Sequence, residues 1–389
     1  PNFCTPWKII PISNLLQFQN GINGSPEQYG KGVKFISVGD ILNNIYITYD
    51  NIKGLIDIDE KTLNNYSVTY GDILFQRSSE IINDIGRTNV YLDKNNIATF
   101  GGFVIRGKKI GQYNPVFFNY LLKSPSSRKS IIRLGAGAQH YNIGQENIKT
   151  LNFYFPDETE QAKIAYLFSK IDERIQTQIK IIENLYSQRK CIFLQLNNNY
   201  QHNKIKINEL GPVSIANNLS KDDLVDDGRE CILYGELFTK YDLYTTHVIS
   251  KTNKTYHTIT SSGNDLLFPT STTVNAISLI KPLALCQKDV ILGGDMFSIK
   301  LNDTYDAIYI SCLINYVYKK QLASKTQGTT IVHLYYENIK NEIIEICDYE
   351  IQCKIAEYIK FITSKIETEK ELLNKLYLQK AYLLRNLFI

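Results

Sequence analysis

The most restrictive feature of the sequence is an amphipathic helical segment that occurs twice. It reads LYSQRKCIFLQL at 185–196 and LYLQKAYLLRNL at 376–387, an offset of 191 residues. The same offset places ENIK at 146–149 on ENIK at 337–340, and it holds from there to the end of the sequence. Because a fixed long-range offset over many positions indicates an internal repeat, we interpret the chain as a tandem duplication.

Upstream of ENIK the offset drifts, as insertions in loops would make it drift. DILFQRSS at 72–79 aligns with DLLFPTST at 265–272 at an offset of 193, and FISVGDI at 35–41 aligns with CILYGEL at 231–237 at an offset of 196. Each copy therefore contains a long strand-like region followed by a helical region. This division predicts globular domains at 1–157 and 199–347, and helices at 158–198 and 348–389.

Apolar residues spaced alternately four and three apart run through both helical regions, which predicts a coiled-coil seam in each. The seam positions are Ile164, Phe168, Ile171, Ile175, Ile182, Leu185, Ile192 and Leu196 in the first region, and Ile355, Ile359, Ile362, Ile366, Leu373, Leu376, Leu383 and Leu387 in the second. Polar residues interrupt both seams at equivalent positions: Gln178 matches Glu369, and Arg189 matches Lys380. Two unrelated helices packed on separate cores would not keep this common phase.

Such a seam requires a partner, and the equivalent helix of the same chain is the nearest candidate. We expect the two helices to pair in antiparallel orientation, which would relate the two halves by a pseudo-twofold axis. Two similar but non-identical modules on such a spacer suit the reading of two sites at a set separation, such as DNA half-sites one helical turn apart.

Length and composition exclude several other classes of protein. A chain of 389 residues with 43% apolar content can bury more than one core. There is no run of eighteen uncharged apolar residues to span a membrane, and the opening PNFCTPWKII lacks the regions of a signal peptide. We therefore expect a cytoplasmic protein with no membrane partner. The net charge of +4 requires any nucleic-acid surface to be a local concentration of basic residues.

The cysteines and histidines do not suggest a metal site. The five histidines include no pair spaced four apart, and the seven cysteines include no CxxC pair. We therefore predict reduced, buried thiols and no bound metal. The cysteines are Cys4, Cys191, Cys231, Cys286, Cys312, Cys347 and Cys353.

The globular regions are predicted to be mixed and mainly β, since short apolar runs such as GVKFISVGDI and GGDMFSIKL are bounded by Gly, Asn and Asp. One short helix is predicted in each region, at 114–134 and at 304–324. A polar loop of small residues follows each helix, GAGAQHYNI at 135–143 and GTTIVHLYYENI at 328–339. Basic residues precede both loops, so the loops could meet phosphates as well as connect elements. The fold class is therefore α+β.

Motifs for catalysis are missing or damaged. There is no GxxxxGK[ST] phosphate loop, so we expect no ATP hydrolysis by this chain. NPVF at 114–117 resembles the Asn-Pro-Pro-Tyr/Phe motif of adenine methyltransferases, but it lacks the second proline and a glycine-rich turn for the methyl donor. PDETEQAK at 156–163 could suggest a nuclease, yet its proline, caps and carboxylates are typical of a helix start. The sequence thus predicts a protein that is not an enzyme.

Four stretches together carry a resemblance to a known family. They are WKIIPISNLLQFQNG at 7–21, GDILFQRSS at 71–79, GAGAQHYNI at 135–143 and NIKTLNFYFPDETEQAKIAYLFSKIDERI at 147–175. The layout resembles the DNA-specificity subunit of type I restriction-modification systems over essentially the whole chain. The second copy of the last stretch is degenerate, with Cys347 for Pro156, Ile351 for Glu160 and Thr363 for Asp172, while Gln161 is kept as Gln352.

The resemblance implies two target-recognition domains, each reading half of a split sequence in double-stranded DNA, separated by two antiparallel helices. Two methyltransferase subunits would dock on these helices and methylate adenine, and restriction subunits with a motor could join them. The chain itself would carry no cofactor. S-adenosylmethionine, ATP and magnesium would be bound by the partner subunits.

Base reading requires side chains with hydrogen-bond donors and acceptors, supported by contacts to phosphates. The DNA-binding candidates in the first domain are Arg77, Ser78, Arg87, Arg106, Lys108, Lys109, Gln139, His140 and Tyr141. Those in the second are Thr270, Ser271, Thr272, Lys281, Lys325, Gln327, Thr329 and Thr330. Arg77 aligns with Thr270 when the two copies are superimposed in sequence. We therefore expect two different half-sites and a target that is not a palindrome.

Two other classes of function stay open at this point. A protein-binding scaffold would show no salt-dependent DNA binding. A standalone methyltransferase or nuclease would need the NPVF or PDETEQAK segment to be active, and would transfer methyl groups or cut DNA without partners.

Overall fold

The computed structural model describes residues 6–216 and 219–388, so Cys4 lies outside the described residues. The chain forms two compact units. The first comprises Pro1–Lys180 with Glu371–Ile389, and the second comprises Ile181–Lys370. The boundary between the units therefore falls inside both long helices, whereas the sequence divides the chain at the helix ends.

The first unit is built mainly from short strands. The strands are β1 (Lys8–Pro11), β2 (Leu16–Asn20), β3 (Tyr29–Ile36), β4 (Gly54–Ile56), β5 (Ile73–Gln76), β6 (Ser78–Ser79), β7 (Thr88–Val90), β8 (Thr99–Phe100), β9 (Val104–Lys109), β10 (Tyr141–Asn142) and β11 (Asn152–Phe155). A four-stranded sheet has the order β2-β9-β5-β7, a three-stranded sheet has the order β4-β3-β8, and β1 pairs with β11 and β6 with β10.

Short helices cover these sheets. They are α1 (Val38–Asn43), α2 (Glu60–Asn65), α3 (Pro115–Lys123), α4 (Pro125–Ile132) and α5 (Gln145–Lys149), followed by the long helix α6 (Glu158–Asn198). Phe75, Phe117 and Phe118 are fully buried in one core of the unit, and Leu74 and Phe100 in a second. The α+β prediction is therefore confirmed for this unit.

The second unit repeats this plan with larger sheets. Its strands are β12 (Asn203–Lys206), β13 (Val213–Ala216), β14 (Leu224–Val225), β15 (Arg229–Leu233), β16 (Tyr244–Thr245), β17 (Ser250–Thr252), β18 (Ile259–Ser262), β19 (Asp265–Pro269), β20 (Ser271–Thr272), β21 (Leu283–Leu285), β22 (Lys288–Gly293), β23 (Met296–Lys300), β24 (Val332–His333) and β25 (Ile343–Ile346). The two five-stranded sheets have the orders β13-β23-β19-β21-β16 and β14-β17-β15-β22-β18, and β12 pairs with β25 and β20 with β24. Its helices are α7 (Tyr234–Thr239), α8 (Ala276–Leu279), α9 (Ala307–Leu313), α10 (Lys319–Ala323), α11 (Tyr336–Ile339) and α12 (Tyr349–Asn386).

The sequence prediction of one short helix in each globular region needs correction. In the first unit the segment breaks into α3 and α4, because Pro125 opens a new helix and the Ser124 hydroxyl caps it by accepting from the Ser127 amide. In the second unit α9 and α10 are joined by a π-helical segment, Ile314–Tyr318. The end of GVKFISVGDI is also helical rather than extended, since Asp40 and Ser37 form a capping box at the start of α1.

The long helices begin where their capping residues predict. The Asp157 carboxylate accepts from the Glu160 amide at 2.9 Å, which confirms PDETEQAK as a helix start. Gln161 accepts from the Asn114 amide at 2.9 Å and donates to the Pro156 carbonyl at 3.0 Å. Gln161 thereby fixes the entry of α3 against the start of α6.

Gln352 makes the same two bonds in the second unit. It accepts from the Asp306 amide at 3.0 Å and donates to the Cys347 carbonyl at 2.8 Å. Gln161 and Gln352 are both buried. A buried amide that satisfies two backbone groups is expensive to replace, which explains why the second copy keeps this glutamine although its neighbours differ.

Within each unit, parts of α6 and α12 pack against each other in antiparallel order. In the first unit Phe168 stacks on Phe388 with 5.8 Å between ring centroids, and Asp172 pairs with Lys380 at 2.5 Å. In the second unit Lys370 lies over the ring of Tyr186, and Arg189 donates to Thr363 at 3.0 Å. The predicted antiparallel pairing is therefore seen in both units.

The predicted seam is buried along most of α6 but shifts at the helix end. Ile192 and Leu196 are only half-buried, whereas Phe193 is fully buried against Tyr309 and Tyr316. The reason is that the end of α6 packs on α9 and the π-helical segment of the second unit as well as on α12. Half-buried seam positions of α12 are Ile362, Leu373, Leu383 and Leu387.

The prediction of buried thiols holds for three of the described cysteines, Cys231, Cys312 and Cys347, which are free and buried. Cys286 and Cys353 are half-buried, and Cys191 is exposed, so the prediction is wrong for Cys191. Among the described residues no group of His, Cys, Asp or Glu could hold a metal ion. No helix in the described ranges is both long and apolar enough to cross a membrane.

Candidate nucleic-acid interface

A two-stranded ribbon brings together five of the DNA-binding candidates in the first unit. β6 and β10 pair antiparallel, with Ser79 opposite Tyr141 and Ser78 opposite Asn142. The ribbon is extended by the Ile143 amide, which donates to the Arg77 carbonyl at 3.0 Å. Residues separated by about sixty positions in the sequence thus share one surface element, which we name the first ribbon (residues 77–79 and 136–143).

The tip of the first ribbon is a tight, exposed loop. Ala136 and Asn142 exchange two backbone hydrogen bonds of 3.0 and 2.8 Å, which closes the loop below Gln139 and His140. Both of these side chains are exposed. Gly137 has a φ of 135°, and a Cβ there would lie 2.0 Å from the His140 carbonyl oxygen. Only glycine fits this position, so the backbone of the loop tip depends on it.

The second unit contains an equivalent ribbon, made by β20 and β24, with Ser271 opposite His333 and Thr272 opposite Val332. Gln327 and His333 exchange backbone bonds of 2.9 and 2.7 Å below an exposed tip that carries Thr329 and Thr330. We name this element the second ribbon (residues 270–272 and 327–334).

Backbone contacts confirm that the two ribbons match residue by residue. Gly328 in the second ribbon, like Gly137 in the first, has a positive φ, of 101°, and a Cβ there would lie 2.1 Å from a carbonyl oxygen. The Leu334 amide donates to the Thr270 carbonyl at 2.9 Å, as the Ile143 amide does to Arg77. The alignment of Arg77 with Thr270 is therefore also a structural equivalence.

A glycine turn beside each ribbon carries a residue that the sequence analysis missed. The Arg77 amide donates to the carbonyl of Phe103 at 2.9 Å, and its guanidinium donates to the carbonyl of Gly102 at 3.2 Å. The Phe103 side chain is 67% exposed. A large aromatic ring held in water beside an arginine is a candidate contact for a base or a thymine methyl group. The signal in the sequence was the Gly-Gly pair that precedes Phe103.

The equivalent turn of the second unit has the opposite chemistry. The Thr270 amide donates to the carbonyl of Asp295 at 2.8 Å, and Asp295 follows the pair Gly293–Gly294. The exposed Asp295 carboxylate accepts from the Ser271 hydroxyl at 3.2 Å. The two ribbons thus share one backbone but differ in the chemistry they present: Arg77 with Phe103 in the first, and Thr270 with Asp295 in the second.

Two candidates from β9 have structural roles. Arg106 is only 6% exposed, and its guanidinium donates to the Ser67 carbonyl and to the Gln19 side chain. Because Arg106 is buried and two of its guanidinium nitrogens donate inside the unit, the structure gives no support to a DNA contact by Arg106. The Lys109 ammonium donates to the Tyr113 carbonyl at 3.1 Å, which likewise holds it inside the unit. Lys108, between them, is exposed.

The remaining basic candidates also lie away from the ribbons or have partners. Lys281 is half-buried and donates to the carbonyls of Phe238 and Tyr241 at 3.1 and 3.0 Å, so the structure does not support it as a DNA contact. Lys325 precedes the second ribbon and pairs with Glu342 at 2.7 Å. Arg87 pairs with Asp84 at 2.6 Å but remains half-exposed.

The NPVF segment is a helix start. The Asn114 side chain accepts hydrogen bonds from the amides of Val116 and Phe117, both at 3.0 Å, and Phe117 is fully buried. An asparagine engaged as an N-cap and an aromatic ring in the core are not available to hold a target base. The geometry therefore gives no support to a methyltransferase site at this segment.

Comparison with known proteins gives the family. The profile of the type I restriction modification DNA specificity domain matches residues 5–185 and 201–378, once in each half of the chain. A protein of Methanocaldococcus jannaschii named as the MjaX specificity subunit of a type I restriction enzyme is 25% identical over 215 residues, which are 53% of this chain. The alignment spans 49% of that relative's length.

Solved structures show the same fold over the whole chain. The S subunit of a type I restriction-modification system from M. genitalium aligns with a TM-score of 0.56 and 17% identity, covering 100% of this chain and 97% of that one. A chain from a structural study of complex assembly and conformational transition in a type I R-M system aligns with a TM-score of 0.61 and 10% identity, covering 99% of each chain. The chain therefore belongs to the family of type I restriction-modification DNA specificity domains, with two such domains in tandem.

Proposed function

We propose that this protein is the subunit that selects the DNA sequence in a type I restriction-modification complex, and that it reads a split, asymmetric target. The observation that carries the proposal is the pair of ribbons. They are built on the same backbone hydrogen bonds and the same positive-φ glycine, yet they carry different side chains at matched positions. Two ribbons with the same backbone but different exposed side chains suit the recognition of two different half-sites.

The chemistry of the first ribbon favours direct reading of bases. Arg77 can donate two hydrogen bonds to guanine, and Gln139 can bond adenine through its amide. His140 adds a ring that can donate or accept according to its tautomer. Phe103, beside Arg77, can make an apolar contact with the methyl group of thymine.

The second ribbon offers a different set of groups. Thr270, Ser271 and the exposed Thr329 present hydroxyls, which donate or accept. Asp295 presents a carboxylate, which accepts from the amino group of cytosine and is repelled by phosphates. We therefore expect the half-site of the second unit to differ in sequence from that of the first.

The catalytic work is assigned to partner subunits. Two methyltransferase subunits would dock on α6 and α12, whose outer faces expose Tyr166, Phe361 and Tyr382, and would methylate adenine with S-adenosylmethionine. Restriction subunits with a motor would use ATP and magnesium. In this proposal the chain supplies sequence recognition and a platform for assembly, without a cofactor of its own.

The test is methylation profiling of DNA from cells that express this chain with its cognate methyltransferase subunit, compared with cells that express that subunit alone. The proposal predicts a two-part, asymmetric motif methylated at adenine only when both proteins are present. If the subunit is active and the complex forms but no motif depends on this chain, the chain is a protein-binding scaffold. Methyl transfer by the purified chain alone would instead support a standalone enzyme.

A further inference from the structure

A basic pocket lies next to the first ribbon, between α1, β7, α3 and α4. The pocket has a volume of about 380 Å³. It adjoins the first ribbon through two segments, because Asn83 and Arg87 lie between β6 and β7, and Ile132 ends α4 just before the ribbon loop. Its lining residues include Asn44, Asn83, Arg87, Thr88, Lys123 and Arg128.

The charge of the pocket is strongly one-sided. Arg87, Lys123 and Arg128 line it. The acidic groups that act on these cations are Asp84, which pairs with Arg87, and Asp172, which lies near Lys123 but pairs with Lys380. Asp84 offsets one of the three positive charges, and Asp172 is matched by Lys380, so the pocket keeps a net positive charge.

Arg128 is fixed in place by three backbone acceptors. Its guanidinium donates to the carbonyls of Gly86, Asn83 and Ile85 at 2.8, 3.0 and 2.7 Å. This cation is therefore held by the fold and does not hang freely in solvent.

A buried hydroxyl in the pocket wall has no partner inside the protein. Thr88 is 3% exposed, and its Oγ1 makes no hydrogen bond with any described residue. Most buried hydroxyls in proteins are hydrogen-bonded, and an unpaired one costs about 1–3 kcal/mol. Thr88 lines the same pocket as the three basic residues, so its unpartnered hydroxyl fits a missing acceptor, such as an oxygen of an anion.

Lys123 supports the same interpretation. Lys123 is half-buried, and its ammonium makes one hydrogen bond to the described residues, of 3.3 Å to the Ile45 carbonyl. Burial, with a contribution from the nearby Lys380 and Arg87, lowers the pKa of Lys123 to about 7. An anion bound beside this ammonium would offset both the desolvation and the repulsion.

We propose that this pocket binds a phosphate-type oxyanion, held by Lys123 and Arg87 and by a hydrogen bond from the Thr88 hydroxyl, with the backbone-fixed Arg128 adding positive charge. A phosphate of the DNA backbone is one source, because the pocket adjoins the first ribbon; this source rests on the proposed function. Free phosphate is the other source. Both offer the same oxygen acceptors, and contacts of this kind position a protein on DNA without reading its sequence.

The experiment uses the full chain with Lys123→Gln and, separately, Thr88→Val, which removes only the hydroxyl. Lys61→Gln is the control, since Lys61 is exposed on α2, does not line the pocket and loses the same charge. The first arm measures the rise in melting temperature caused by inorganic phosphate at constant ionic strength. The second arm measures the affinity of the chain, bound to its methyltransferase subunit, for its DNA target over a range of salt concentrations.

If the pocket takes a DNA phosphate, Lys123→Gln lowers the slope of log affinity against log salt by about 1 and weakens binding by roughly three- to tenfold, while the methylated motif stays the same. If it takes free phosphate, the thermal shift is lost in both pocket variants and DNA binding is unchanged. Variants that match the wild type and the Lys61→Gln control in both arms would overturn the proposal. If the wild-type complex does not bind DNA, the proposed function fails, and the phosphate arm alone decides the pocket.

Discussion

The two units hold an equivalent basic residue on the helix seam in different ways. In the first unit Lys380 of α12 pairs with Asp172 of α6 at 2.5 Å, and the Tyr120 hydroxyl donates to the same carboxylate at 2.5 Å. The acid and the base thus lie on the two long helices, and the globular domain contributes a tyrosine. The ion pair therefore joins the two long helices, and the tyrosine hydrogen bond joins the globular domain to α6.

In the second unit the acid comes from the globular domain. Arg189 of α6 pairs with Asp242 at 2.6 Å, while Thr363 of α12 accepts only a hydrogen bond at 3.0 Å. Arg189 and Lys380 are 191 residues apart, as are Asp172 and Thr363. The base thus lies at the equivalent helix position in both units, whereas the acid lies on a long helix only in the first unit. The loss of an acid at 363, which in the sequence suggests degeneration, is compensated in three dimensions.

A second contrast lies where each globular domain meets its long helix. In the first unit the ring centroid of Phe388 lies 5.8 Å from that of Phe168 and 6.4 Å from that of Trp7. Position 197, which is 191 residues before Phe388, is an asparagine, and its side chain accepts from the Tyr309 hydroxyl at 2.6 Å. One junction is held by apolar burial and the other by a buried polar contact, which shows that the same backbone plan tolerates either chemistry.

Substitution of Asp242 should lower the free energy of unfolding the most. Asp242→Asn leaves the Arg189 side chain, 3% exposed, without its counter-ion, and we expect a loss of about 3 kcal/mol in the free energy of unfolding. Asp172→Asn leaves Lys380, which is 24% exposed and can reach water, so the loss should be about 1 kcal/mol. Urea unfolding of both variants measures the difference. Equal losses would contradict the account of two different clusters.

The aromatic junction should be more sensitive than its polar counterpart. Phe388→Ala opens a cavity among buried rings and should cost about 3 kcal/mol. Asn197→Ala removes one acceptor of the Tyr309 hydroxyl and should cost about 1–2 kcal/mol. Thermal unfolding compares the two, with Phe388→Leu as a control that retains much of the buried volume. A larger loss for Asn197→Ala would reverse the contrast.

The two glutamines that fix the helix starts should behave alike. Gln161→Ala and Gln352→Ala each remove the same pair of backbone hydrogen bonds, so we expect similar losses of about 1–2 kcal/mol. Urea unfolding measures both values. Exposed Gln176 on α6 provides the control, since Gln176→Ala should change stability by less than about 0.5 kcal/mol. A large difference between Gln161 and Gln352 would break the equivalence of the two helix starts.

The smallest effect concerns Lys123, whose counterpart in the second unit is Asn315, because Asn114 and Asp306 are equivalent at the helix starts. Its pKa of about 7 in the folded protein lies below the unfolded value, mainly because of burial, so the unfolded state binds more protons above pH 7. The charged ammonium therefore destabilises the fold fully below pH 7, and the effect fades as the pH rises toward 10. Lys123→Met should stabilise the chain by about 1 kcal/mol at pH 6 and by less at pH 9. A gain of the same size at both pH values would contradict burial as the cause of the lowered pKa.

Sequence periodicity and the repeat predicted much of this architecture, because the pattern of each long helix and the match between the copies are recorded locally. The ribbons were predicted only as two separate segments, since the pairing of Ser78 with Asn142 is a long-range contact. The burial of Arg106 could not be predicted, because its partners Gln19 and Ser67 are distant in the sequence. The shift from Ile192 to Phe193 arises where α6 gains a second set of neighbours, α9 and the π-helical segment, which a heptad pattern does not record.

If the two ribbons read different halves of one target, exchanging the residues at matched positions should alter each half separately. Arg77→Thr places the residue of the second ribbon in the first, and Thr270→Arg makes the reverse exchange. Adenine methylation profiling of each variant with the cognate methyltransferase subunit should show a change in one half of the motif for Arg77→Thr and in the other half for Thr270→Arg. A motif that is unchanged in both active variants, or that changes in the same half in both, would contradict the claim.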